Sequence, residues 1–157
     1  MFLTTWCLVT LVLAAILMGT SFAHTLEMPA KLRYDGPQWL RVQHTLYPAY
    51  ASVGGIIELA AIIAAAVLAV VLRDWRPALV AALAGTACLA VAFVFVWLTV
   101  TNRVNARTAE WTADTLPADW ESWRKRWEVS HVVRFLLHLA GFALLVLATL
   151  ISPLSDD

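Results

Sequence analysis

Charge is scarce in this sequence. Lys, Arg, Asp and Glu supply 14% of the 157 residues, and eleven bases cancel eleven acids. A neutral chain offers no electrostatic footprint for nucleic acid. Cysteine is nearly missing. Cys7 and Cys88 both sit inside apolar runs, which excludes a disulfide framework and a thiolate metal site. No Cys-x-x-Cys-His occurs, so c-type haem attachment is excluded. Internal repeats and low-complexity tracts are absent. What fills the chain instead is apolar, with 61% hydrophobic residues and a mean hydropathy of +0.75. That composition belongs to an integral membrane protein.

Four stretches are long enough to cross a bilayer, which takes roughly 20 apolar residues. They predict an all-α fold, a single-domain membrane four-helix bundle with spans at about 2–27, 47–72, 77–105 and 125–151. Met28–Pro29 is expected to end the first helix. The small residues before His24 also resemble a signal-peptide cleavage site, but no basic segment precedes the apolar run, so a retained span is expected. Arg73–Pro77 makes a tight turn, whereas His24–Ala49 and Thr101–Glu128 form long connections on the opposite side. Those connections carry Lys31, Arg33, Arg41, Arg103, Arg107, Arg124, Lys125 and Arg126, against Arg73 and Arg76 on the other side. The bias predicts cytoplasmic long loops and both termini outside. Trp39, Trp111, Trp120, Trp123 and Trp127 read as an interfacial aromatic belt.

The polar residues are few, and they align. Glu128, His131, Arg134 and His138 recur at three- and four-residue spacing on the last span, so they share a face. His24 and Glu27 are three apart on the first span. Tyr47, Tyr50 and Glu58 lie along one face of the second, and Asn102 and Asn105 leave the third. At about 1.5 Å per residue, His24 matches His131 in depth and Glu27 matches Glu128, while Glu58 and His138 sit together about 10 Å deeper. Ionisable groups inside a membrane are costly and point to a site.

Glu-x-x-His pairs on facing helices hold metals in bundle cores. The metal candidates are therefore His24, Glu27, Glu128 and His131, with Glu58 as an addition, in one or two centres of iron, copper, manganese or zinc. His131, Glu128, Arg134 and Asn105 are the catalytic candidates, Tyr47, Tyr50 and Trp127 the substrate wall, and His138 a supporting group. Without a metal, His131 is the expected general base, because imidazole titrates near neutral pH in water. Bis-histidine b-type haem on His24 and His131, a transporter or proton relay, and an assembly subunit, with homo-oligomers allowed by small-residue faces, stay open as alternatives.

The segments "HTLEMP", "YPAYASVGGIIE", "VNARTAEW" and "DWESWRKRWEVSHVVRFLL" together resemble the family of small four-span membrane proteins that includes the anthrone oxygenases. The most specific part is carried by Trp120, Arg124, Arg126, Trp127, Glu128, His131 and Arg134; Asn105, six residues before Trp111, also matches. The resemblance implies, for some members, oxidation of polycyclic phenolic substrates by dioxygen. The expected partners are the bilayer and an apolar or aromatic small molecule that enters from it.

Overall fold

A computed structural model of the protein describes residues 1–152. Four helical stretches in it are long and apolar enough to cross a membrane: Phe2–Lys31, Gly36–Val71, Arg76–Thr108 and Trp120–Leu150. Their outer faces carry exposed Leu8, Val12, Leu59, Val70, Val80 and Leu136. Outward apolar surface on all four suits lipid and not water. The chain is a multi-pass integral membrane protein built as an all-α four-helix bundle.

Helix α1 spans Phe2–Lys31, α2 Gly36–Thr45, α3 Tyr47–Val71 and α4 Arg76–Val91. A π-helical segment, Ala92–Thr101, continues α4 into α5 (Asn102–Thr108), and α6 covers Trp120–Leu150. Around the bundle, α1 packs on α3 and α6, and α4 packs on the same two. The half near the 73–76 turn is sealed by small residues: Ala61, Ala65 and Leu68 of α3 meet Ala78 and Ala82 of α4. At the α4–α6 crossing the backbones nearly touch. A Cβ added to Gly85 would lie 3.0 Å from the Gly141 carbonyl oxygen and 2.9 Å from Leu145 Cγ. Ala61, Ala65, Ala78, Ala82, Gly85 and Gly141 therefore serve close packing inside the bundle.

The polar end departs from expectation in three ways. Helix α1 runs through Pro29 to Lys31, because a proline in the last turn removes only one backbone bond. Arg124 Nη1 then caps the end, donating to the carbonyls of Lys31 (3.3 Å) and Tyr34 (2.7 Å). The first long connection is not a loop. Asp35 accepts from the Gln38 backbone N–H at 2.8 Å and starts α2, whose buried face carries Trp39, Leu40 and Gln43. The third span contains ten residues of π-helix, a form frequent at functional sites. Thr101 anchors that segment to α6 through Ser130, with the two hydroxyl oxygens 2.8 Å apart. A cavity opens between it and the first turns of α3.

The aromatic belt is also corrected. Trp39 is wholly buried against Trp120, with ring centroids 6.1 Å apart, and Trp127 lies inside the bundle.

Candidate functional site

Two polar layers occupy the open half of the bundle. In the outer layer, His24, Glu27 and Lys31 fall on one face of the last two turns of α1, facing Glu128 and His131 of α6. The two imidazoles stack, with ring centroids 4.2 Å apart and planes tilted by 35°. His131 also packs on Trp127 at 4.2 Å. His24 meets Tyr47 at 4.9 Å and Tyr50 at 5.2 Å. Buried against these rings, neither nitrogen of His131 has a hydrogen-bond partner.

Lys31 is the residue that sequence reasoning misassigned. By sequence it is one of the basic residues of the first long connection, yet it is 2% exposed. Its ammonium lies 3.1 Å from Glu128 Oε2 and 3.4 Å from Glu27 Oε2. It donates to the Tyr47 hydroxyl at 3.2 Å, and that hydroxyl donates to Glu27 Oε2 at 2.7 Å. It also sits 4.5 Å from the centre of the Trp127 ring, within cation–π range. Two carboxylates thus share one ammonium. The signal was present in the sequence: seven residues, two turns, separate Lys31 from His24 on the same helix face.

The inner layer is as expected from depth. Glu58 accepts from Arg134 Nη2 at 2.5 Å, and its other oxygen lies 3.0 Å from His138 Nε2. His138 Nδ1 is 2.6 Å from the Ser21 hydroxyl oxygen, which donates to the Leu17 carbonyl at 2.6 Å. Glu58 and His138 are fully buried. Their network fixes the Arg134 guanidinium and leaves its Nε–H without a protein partner.

Both layers border one cavity of about 640 Å³. Its polar wall includes Ser21, His24, His131, Arg134 and Asn105. The aromatic wall is Tyr47, Tyr50, Trp97 and Trp127. A Cβ added at Gly54 or Gly55, both bordering this space, would meet nothing within 4 Å. The volume suits a small organic ligand, for which roughly 300–1,000 Å³ is usual. Asn105 Oδ1 accepts from Trp127 Nε1 at 2.8 Å, which fixes that indole as a wall. Asn102 is exposed and lies outside the cavity.

The expected metal set does not assemble in full. Among the described residues, no group of three or more His, Cys, Asp or Glu side chains is placed to hold a metal ion. Glu58 is engaged by Arg134 and His138, and Lys31 lies where a cation bridging Glu27 and Glu128 would sit. The histidine rings are in direct contact, which leaves no room for a porphyrin plane between them.

A family model described as Anthrone oxygenase covers residues 44–144, more than half of the chain. It takes in Glu58, Asn105, Glu128, His131, Arg134 and His138, and it stops short of α1. No curated protein matches, and no solved structure does.

Proposed function

The chain belongs to the anthrone oxygenase family, and from that premise we propose that it oxidises a fused-ring phenolic ketone with dioxygen, using His131 as the base. The observation that carries this reading is the His131 ring, buried in the cavity wall with both nitrogens unpartnered. A buried imidazole whose nitrogens have no partner among the described residues, on a ring that borders a ligand-sized space, supports a role in proton abstraction. The substrate lies between Tyr47, Tyr50, Trp97 and Trp127, its activated CH₂ toward His131. His131 takes one proton, and the electron pair delocalises onto the ring ketone as an enolate. The Nε–H of Arg134 donates to that oxyanion, at no reorganisation cost because Glu58 already holds the guanidinium. Dioxygen adds to the carbanion carbon and the peroxide takes the proton back from His131. Loss of water then leaves a second carbonyl. The sum is CH₂ plus O₂ giving C=O plus H₂O. Glu27, Lys31 and Glu128 hold the helix ends that carry the two imidazoles.

A metal-dependent reading draws on the same two rings, since His24 Nδ1 is unpartnered as well. It needs Lys31 to release Glu128. Oxygen uptake by detergent-purified protein with 1,8-dihydroxyanthrone separates the two readings. The expected result is one dioxygen consumed per quinone formed, above the spontaneous rate, unchanged after chelation. Loss on chelation with recovery on adding one metal would move the reading to the metal version. A rate no greater than the spontaneous one would sink both. A through-membrane proton pathway finds less support: α1, α3, α4 and α6 carry no Asp, Glu, His, Lys or Arg among residues 2–23, 59–71, 77–91 and 139–150.

We also propose that the polar end faces the cytoplasm. Removing Lys31 and Arg124 from the count, because both are buried, leaves Arg33, Arg41, Arg103, Arg107, Lys125 and Arg126 against Arg73 and Arg76. Both termini then lie outside; the last residues, 153–157, fall beyond the described ones. A C-terminal reporter active only in the cytoplasm would reverse this assignment.

A further inference from the structure

One buried polar side chain on the cavity is used by neither layer. Gln43 lies near the end of α2 and is 6% exposed, with its Nε2 unpartnered in the protein. The other large residues buried on that face of α2, Trp39 and Leu40, are chiefly apolar. A buried amide without a partner is costly, and native structures keep one where something else satisfies it. Gln43 borders the same cavity as His131.

Its position is fixed by its neighbour. His44 Nε2 lies 2.8 Å from the Thr108 carbonyl oxygen, which pins the end of α2 to α5. The separation from His131 follows from helix geometry. Trp127 is four residues above His131 and bonded to Asn105, and Thr108 is three residues beyond Asn105. At 1.5 Å per residue Thr108, and with it the end of α2, stands about 10 Å beyond His131 along the bundle. A ligand with its reacting carbon at His131 thus brings the far edge of a terminal ring to Gln43.

Resting on the function proposed above, we propose that Gln43 is a specificity-determining residue. Its amide hydrogen-bonds an oxygen substituent on the outer edge of a terminal ring of a hydroxylated fused-ring ketone, away from both the ketone and the carbon that reacts. An amide carries both donors and an acceptor, so it serves a hydroxyl or a phenolate by rotating about its last bond. Such a contact is made alike in ground and transition states, so it sets KM and not kcat.

The test compares two substrates in the full-length protein in detergent: 1,8-dihydroxyanthrone, whose hydroxyls both flank the ketone, and 1,3,8-trihydroxyanthrone, which adds a hydroxyl on the outer edge of one terminal ring. Gln43→Leu and Gln43→Met keep the volume and remove the amide. Each should raise KM for the trihydroxy compound about tenfold, leave its kcat unchanged and leave the dihydroxy compound unaffected. Because no internal bond is lost, the melting temperature without ligand should not fall. Equal effects on both compounds, or none on either, would overturn the inference while the functional reading stands. So would a lowered melting temperature in both variants with KM unchanged. Wild-type protein that oxidises neither compound above the spontaneous rate would overturn the reading and the inference together.

Discussion

Replacing His131 by alanine is expected to lower kcat by about 10²- to 10⁴-fold, the usual range for a general base, while the bundle stays assembled. The two halves of that expectation come from one fact. Among the described residues His131 makes no hydrogen bond, so its loss breaks none there, and the ring contacts with His24 and Trp127 disappear. Stability should change by no more than about 1–2 kcal/mol, the scale of an ordinary single substitution. A histidine that merely held the structure would show the opposite pattern, with large destabilisation and little loss of turnover. The vacated space adjoins the cavity, so added imidazole should restore part of the rate. Oxygen uptake and thermal unfolding of the same detergent sample read both effects. Turnover within tenfold of the wild type would remove His131 from the mechanism.

The second large effect is expected at Glu58, and there it falls on stability. Glu58→Leu strands the Arg134 guanidinium and the His138 ring inside the bundle without their carboxylate. Removing one partner of a buried ion pair costs about 3–5 kcal/mol, whereas replacing both by apolar residues is often neutral. The double substitution Glu58→Leu with Arg134→Met should therefore recover most of the stability lost by Glu58→Leu alone. It should not recover activity, because in the proposed reaction the unpartnered Nε–H of Arg134 serves the oxyanion. Reversible denaturant unfolding of the three variants, paired with oxygen uptake, separates the packing role from the chemical one. A single Glu58→Leu variant as stable as wild type would show that the pair is not an anchor. An active double variant would show that Arg134 does not touch the reacting oxygen.

These variants probe groups that differ in how visible they were. Glu58 and His138 were legible as one layer, because on a helix depth follows from residue count. So were the pairing of His24 with His131 and the membrane class itself. Hydropathy, a run of about 20 residues and a three-to-four-residue period are local quantities, and a chain carries them wherever it folds. Resemblance to the family also sat in contiguous segments.

Three features were decided only by tertiary structure. Lys31 has a long, flexible stem, so its charge could stay at the rim as a loop cation or turn inward. The rotation of α1 against α6 put Glu128, Glu27 and the Trp127 face within its reach, so that the two carboxylates share its ammonium. The π-helical segment depends on its neighbours too. Its residues are ordinary apolar ones, and its place follows from the fit against α6 through Thr101 and Ser130. Gln43 became part of the cavity because α2 folds back across the open end and is tied there through His44 and Thr108. In the sequence it is one amide in a connection. The local pattern determined which residues lie at which depth; which of them face one another, and across what space, came from helix rotations that no single segment encodes.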